Sequence, residues 1–277
     1  MNHELSLSFK ITNWCNLNCA HCCEYSGPKE PVKFLSLEKM EKYIIESLIM
    51  SIRPSEYLVI GGGEAMAPYM HNMPDYIPKA LDIIYKYGYV PVIKTNGTWG
   101  NNDETRNRIL TDIAKCAYKY NKLITLDISV DEFHNNTDGV SKIIHETLFN
   151  QKLCVAIRIC LAGFNTKKSE IVVNKLQRNL QEHGIQVRPT FIKDWILETP
   201  DGNGVYMPNS FINGIYDLGR AKETKVYTET GNPTGSIDCL QIDNNDVAIY
   251  NYVKQEPINN RSLDEVLYSL IYNHTER

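Results

Sequence analysis

A strand-then-helix rhythm runs through the first two thirds of the chain, and it restricts the fold more than any other feature. Leu5, Leu7, Phe9 and Ile11 alternate with more polar neighbours, the pattern of a strand with one buried face. Ser36 then stands as an N-cap before a helical stripe of Leu37, Met40, Ile44 and Leu48, which Pro54 ends. Tyr57 to Ile60 is a short apolar run that exits into Gly61-Gly62-Gly63-Glu64. The unit then repeats. A helix over roughly 73 to 87 leads to a strand at Val90 to Lys94, and a helix with Ile109, Ile113 and Ala117 leads to Leu123 to Val130. Helices with Val140, Ile144 and Leu148, and with Val172, Leu176 and Leu180, lead to strands at Leu153 to Leu161 and Ile185 to Ile192. Strands that alternate with helices in this way form a parallel sheet with right-handed crossovers.

The expected class is therefore α/β, as a curled sheet in a partial (βα)6 TIM-like barrel, with a doubly wound sheet as the alternative. From about Lys193 the rhythm fails. Asp201-Gly202-Asn203-Gly204 and Gly231-Asn232-Pro233 are turn-rich, Val247 to Val253 reads as a strand, and Ser262-Leu263-Asp264-Glu265 is a capping box opening a last helix through Leu270. Residues 1–192 are thus expected to form the barrel, and residues 193–277 a small α+β C-terminal cap over one barrel end.

The loop after the first strand holds Cys15, Cys19 and Cys22, with Cys23 beside them. A loop this short brings its ends together at little entropic cost, so the three thiolates can converge on one metal. Thiolate sulfur suits zinc and iron–sulfur clusters, and three ligands leave one position open. Zinc held by these cysteines with His21 or Cys23 remains an alternative, in which the protein would be a metal-binding interaction module. The chain carries eight cysteines, and its start lacks the basic and apolar regions of a signal peptide, which favours metal or catalytic use over disulfides and a cytoplasmic setting. No run approaches the roughly 20 apolar residues of a membrane helix. A net charge of −4 argues against a nucleic-acid binder.

Loops that follow the strands of a βα barrel gather at one end. That rule assembles the cysteine loop, Gly61 to Glu64, Thr95-Asn96-Gly97 and Ser129-Val130-Asp131 at a single rim. Alternation in the fourth strand places Thr125, Asp127, Ser129 and Asp131 on one face, where Arg158 and Arg188 from the next two strands would add positive charge. The same pattern fits purely structural ion pairs. Gly61-Gly62-Gly63 lacks the Gly-Lys-Ser/Thr ending of a phosphate loop and runs into an acid.

These features resemble the radical S-adenosylmethionine (radical SAM) enzymes. The resemblance rests on Cys-x3-Cys-x2-Cys after strand one, Gly62-Gly63-Glu64 after strand two and Ser129-x-Asp131 after strand four, over roughly residues 5 to 192. It implies that Cys15, Cys19 and Cys22 hold one 4Fe-4S cluster, whose open iron is chelated by the amine and carboxylate of S-adenosyl-L-methionine. Gly62, Gly63 and Glu64 would receive that amine, His21 would lie near the adenine, and Ser129 would reach the ribose. Asn96 and Arg158 would contact ribose and carboxylate. Reductive cleavage would release a 5′-deoxyadenosyl radical that takes hydrogen from a substrate, and the family's electron donors are proteins such as flavodoxin or ferredoxin. Leu218-Gly219-Arg220-Ala221 followed by Cys239 resembles the start of the SPASM/twitch extension of peptide-modifying members, but no cysteine follows Cys239. The expectation is a cluster-free, degenerate cap with Cys239 near the substrate, either as a catalytic hydrogen donor or as a buried structural thiol. A peptide is the first substrate class, with a small metabolite or nucleoside as the alternative.

Overall fold

A computed structural model of the protein describes residues 5–50, 54–149, 155–162, 166–189, 195–198, 204–207, 212–213, 238–250 and 254–272. Its first part is β1 (Leu5–Lys10), α1 (Leu37–Ser47), β2 (Pro54–Gly61), α2 (Ala67–Met70), α3 (Tyr76–Lys86), β3 (Val90–Thr95), α4 (Asp103–Tyr120), β4 (Ile124–Ser129), α5 (Thr137–Phe149), β5 (Val155–Ala162) and α6 (Thr166–Glu182). β1 to β5 are parallel neighbours in chain order. The alternation in the sequence is realised as burial: Leu5, Leu7, Phe9 and Ile11 join Leu58, Ile60, Ile93, Leu126 and Ile128 in one apolar core. Met40 and Ile44 of α1, Ile77 and Leu81 of α3, and Ile109 and Ile113 of α4 complete it. Helix ends follow local chemistry. The Ser36 hydroxyl accepts from the Lys39 N–H at 3.2 Å, and Asn102 accepts from Thr105 N–H at 2.8 Å.

The α/β class holds, with an open sheet, but the sixth strand goes elsewhere. β6 (Gln186–Pro189) pairs antiparallel with β7 (Trp195–Glu198), which pairs antiparallel with β8 (Gly204–Met207), in a separate three-stranded sheet. α6 is long enough for a crossover back to β5, but β6 takes β7 as its partner, and the five residues between those two strands suit an antiparallel hairpin. The place beside β5 is taken by β9 (Ile212–Asn213), in parallel register. Arg188 accordingly sits exposed on β6, away from the strand that carries Asp127.

The C-terminal α+β region consists of β10 (Asp238–Asp243), β11 (Val247–Tyr250), β12 (Lys254–Pro257) and α7 (Leu263–Tyr272). It joins the sheet edge-on. β10 runs parallel to β1, with Leu240 opposite Leu7 and Ile242 opposite Phe9, and β11 and β12 follow as antiparallel neighbours. The nine-stranded order is β12-β11-β10-β1-β2-β3-β4-β5-β9. The capping box is present as read: Ser262 N–H donates to Glu265 at 2.8 Å and Glu265 N–H donates to the Ser262 hydroxyl at 3.3 Å. Among the described residues no helix is long and apolar enough to cross a membrane.

Candidate active site

The β1–β2 pairing does not stop at the strand ends. Ile11 N–H donates to Gly61 O (3.0 Å), Gly63 N–H to Thr12 O (2.8 Å) and Glu64 N–H to Trp14 O (2.9 Å), so the two loops zip together as they leave the sheet. Such an approach needs glycine twice. Gly62 has φ +117°, and a Cβ there would lie 2.6 Å from Thr12 O; one on Gly63 would lie 1.9 Å from Trp14 O. The cysteine loop starts from this platform and is closed by Cys15 N–H to Gly27 O (3.2 Å) and Gly27 N–H to Asn13 O (3.4 Å).

Inside the loop, Cys22 N–H donates to Cys19 O at 3.2 Å and Leu17 N–H to Cys15 Sγ at 3.4 Å. Cys15 is buried, Cys19 and Cys22 are half-buried, Cys23 is exposed, and none of the four is in a disulfide. Burial, with the nearby Glu64, Cys19 and Cys22, pushes the Cys15 thiol up to about 12, so a bound metal is what would make it a thiolate. Three thiols outside any disulfide, on one closed loop, fit a cluster with one open iron. Cys116 differs: it is buried in α4 and its thiol donates to Pro78 O at 3.7 Å, an ordinary core position.

Glu64 ties this platform to β3. Its side chain is fully buried, with Oε1 accepting from Met66 N–H (2.9 Å) and the Thr95 hydroxyl (2.5 Å), and Oε2 from Asn96 N–H (2.8 Å). A carboxylate offers about four acceptor positions, so one on Oε2 stays available for an ammonium group. Burial raises the Glu64 carboxyl against the lowering effect of those bonds. Asn96 is held by protein groups: its amide donates to Asn16 Oδ1 (2.9 Å) and toward Cys15 Sγ (3.6 Å), and its Oδ1 accepts from Thr98 N–H and hydroxyl (3.0 and 2.7 Å). Asn16 in turn donates to Thr98 at 2.7 Å. Asn96 therefore fixes the first cysteine from beneath.

The loop after β4 supplies a second brace. Asp131 Oδ1 accepts from Phe133 N–H (2.8 Å), His134 N–H (2.9 Å) and the His134 ring at Nδ1 (3.0 Å). The other ring nitrogen of His134 lies 3.6 Å from Cys19 Sγ. Burial alone would lower the His134 pKa; its bonds to Asp131 and Cys19 override that and bring it up to about 10. Burial likewise works to raise Asp131, but the His134 ring beside it holds the carboxyl below its ordinary value. His21 stacks on Phe133 with centroids 4.2 Å apart and meets His134 edge-on at 5.0 Å. His21, Asp131 and His134 each bring one donor atom within 4.8 Å of the others, a set able to hold a cation. Sequence reading reached Asp131 but missed Phe133 and His134; the Asp-x-x-His spacing is the signal that marks them.

Of the remaining expected residues, Ser129 ends β4 half-exposed, in register with Cys160. Arg158 is in register with Asp127, which is buried at the same level of the sheet. Cys239 lies on β10 opposite Ser6, at the far end of β1 from the cysteine loop. The side chains of Arg158 and Cys239 lie outside the described residues, as does the Leu218 to Ala221 segment. The structure thus brings Cys15, Cys19, Cys22, His21, Glu64 and Asn96 together and sets Cys239 apart from them.

Comparison with known proteins bears on the fold and the family. The curated protein YydG of Bacillus subtilis (strain 168), whose name provisionally assigns it to peptide biosynthesis, is 26% identical over 135 residues, 48% of this chain and 37% of that protein. The chain thus matches little more than a third of its relative's length. Among solved structures, native anSMEcpe with bound AdoMet is 16% identical, with a TM-score of 0.54 over 98% of this chain and 82% of that one, which shows a shared fold. The same protein with bound AdoMet and the Kp18Cys peptide matches 65% of this chain and 49% of that chain, at 18% identity and a TM-score of 0.40. Residues 9–175, more than half of the chain, match the radical SAM superfamily as a whole, and the chain belongs to that superfamily.

Proposed function

We propose that this protein modifies a peptide through a 5′-deoxyadenosyl radical, using one 4Fe-4S cluster and S-adenosyl-L-methionine. The observation that carries the reading is the closed loop of three cysteines, none in a disulfide, zipped through Gly62 and Gly63 to the buried Glu64. When bound, the cluster supplies the electron that cleaves S-adenosylmethionine to the radical. The chain's residues do the positioning. Cys15, Cys19 and Cys22 would hold the cluster, and Glu64 with the glycine backbone would receive the methionyl amine. Asn96 keeps Cys15 in place, and the Asp131–His134 pair does the same for Cys19. His21 would lie near the adenine, Ser129 at the ribose and Arg158 at the carboxylate.

The peptide part of the reading is supported by the likeness to YydG. In it residues 1–192 are the catalytic unit and residues 193–277 an added, cluster-free region, the setting is cytoplasmic, and the electron donor is a flavodoxin or ferredoxin. Cys239 is read as a structural thiol rather than a hydrogen donor, because β10 places it opposite Ser6, at the far end of β1 from the cysteine loop.

Anaerobic reconstitution with iron and sulfide, then dithionite reduction with S-adenosylmethionine, is expected to yield 5′-deoxyadenosine. Tight stoichiometric zinc without acid-labile sulfide would instead identify a binding module. A precursor peptide encoded beside the gene should raise the yield and be modified. Cys239→Ala is expected to retain both cofactor cleavage and product, and loss of the product alone would make Cys239 the hydrogen donor.

A further inference from the structure

A row of charge crosses the sheet one level below the rim, and the cofactor chemistry leaves part of it unused. Lys10 on β1 is in register with Asp243 on β10 and with Gly61 on β2. Lys94 on β3 is in register with Asp127 on β4, and Asp127 with Arg158 on β5. A Cβ built on Gly61 would stand 3.8 Å from the Cβ of Lys94, so these two positions are neighbours on one face. The level lies two residues before Asn96 and Ser129.

Two observations single out the middle of this row. The first concerns Gly61. Gly62 and Gly63 are glycines because the cysteine loop presses on them, whereas a side chain at Gly61 would meet only ordinary contact and no positive φ. Nothing in the backbone requires glycine there; Gly61 is itself buried, and the missing side chain leaves a notch in which only the Lys94 Cβ would lie within 4 Å of a Cβ at Gly61. Its floor, one level further down, is the register pair Val59 and Val92. The second concerns charge. Lys10 is buried and lies 3.4 Å from the Glu24 carboxylate and 3.3 Å from its carbonyl. Gln241 of β10 holds the same carboxylate at 3.0 Å. Lys94, by contrast, is exposed, between the buried Ile93 and Thr95, and makes no hydrogen bond or ion pair among the described residues. Strands inside a parallel sheet are normally covered on both faces, so an exposed cation on β3 faces an open volume.

We propose that the notch at Gly61 binds a carboxylate of the substrate, with the Lys94 ammonium as its counter-charge and Val59 and Val92 beneath its methylene stem. This rests on the peptide reading above and adds the substrate class: an acidic peptide. A charge-assisted bond of this kind in a partly enclosed site favours carboxylate over carboxamide.

The test uses the reconstituted enzyme and three pools of N-acetylated hexapeptides: one with a fixed central Glu and an amidated C-terminus, one with Gln there and an amidated C-terminus, and one with Gln and a free C-terminal carboxylate. The readout is 5′-deoxyadenosine formed above that with S-adenosylmethionine alone. Wild type is expected to respond several-fold more to at least one carboxylate pool than to the uncharged pool, and which pool responds identifies a side-chain or terminal carboxylate. Lys94→Met should erase that preference, Lys94→Arg keep it and Gly61→Ala weaken it, with cleavage in the absence of peptide unchanged in all three. Equal response to every pool, or a preference that survives in Lys94→Met, overturns the assignment. Loss of peptide-independent cleavage in Lys94→Met would give Lys94 to the cofactor and overturn it also. Failure of all pools alongside intact peptide-independent cleavage overturns the carboxylate site, and only failure of the gene-encoded precursor in the same preparation would remove the peptide reading as well.

Discussion

β1 is flanked by β2 on one side and by β10 on the other, and the two flanks are held by different forces. Toward β2 the chain leaves the sheet into a rim built from buried polar atoms. Thr95 and Asn96 both donate to Glu64, Asn96 also bonds the cysteine loop, and the Thr95 hydroxyl accepts from Gly97 N–H (3.1 Å) and Trp99 Nε1 (2.9 Å). Toward β10 the contact is apolar and regular, with Leu7, Phe9, Leu240 and Ile242 all fully buried. Buried polar networks specify one arrangement and are costly to break, while apolar ladders tolerate change in proportion to the volume lost. The difference implies that one flank sets the chemistry and the other the stability. Gln241 is where they touch, since it reaches from β10 to Glu24 at the exit of the cysteine loop.

The largest effect should come from the rim without touching the fold. Cys15→Ala removes one of three ligands, so iron content and 5′-deoxyadenosine yield are expected to fall to background while far-ultraviolet circular dichroism stays that of wild type. A collapsed spectrum would show that the cysteine loop is structural and break the contrast. Leu240→Ala probes the opposite flank. It should cost about 3 kcal/mol, within the range for a buried leucine truncated to alanine, read as a lower denaturant midpoint. Iron bound per folded molecule should not change. Reduced iron in that variant would mean that the Gln241–Glu24 contact transmits the disturbance to the loop.

Thr95→Val keeps the volume and removes the hydroxyl. Glu64 Oε1 would retain one donor, and the Gly97 and Trp99 groups would lose their acceptor inside the core. Leaving such groups unpaired costs about 2 kcal/mol. Because Glu64 and Asn96 then lose their common anchor, this smaller loss of stability should also weaken cluster retention, measured as iron remaining after gel filtration. That pairing of a modest stability loss with a site defect distinguishes the rim from β10.

How far each flank could be read from the sequence follows the same division. Leu5 to Ile11, the helical stripes and the capping box at Ser262 were legible because burial period and capping are local properties. The cysteine spacing and the glycines at 62 and 63 were legible as chemistry, although their tight contact with Thr12 and Trp14 is visible only in three dimensions. What escaped was non-local. The sixth strand reads like the other five, and its pairing with β7 in a separate sheet is a choice of partner made outside its own pattern. The place of β10 beside β1 depends on a pairing across more than two hundred residues, which no local pattern announces. His134 was missed, and Thr95 was placed at the rim without its bond to Glu64, because those roles come from partners on other loops.

The smallest effect belongs to α7 and bounds the comparison. Ser262 and Glu265 satisfy each other's backbone N–H groups at the exposed start of that helix, remote in the fold from the cysteine loop. Ser262→Ala removes the hydroxyl that accepts from Glu265 N–H, and loss of such a cap costs about 1 kcal/mol. The Leu263 N–H also donates to Glu46 of α1 at 3.0 Å, so fraying of this first turn would loosen the docking of α7 on α1 before it reached β10. The expected result is a small drop in thermal midpoint with iron content and S-adenosylmethionine cleavage at wild-type levels. A variant that lost cleavage despite so local a change would show that the C-terminal region orders the cysteine loop, and the two flanks of β1 would then have to be treated as one cooperative unit.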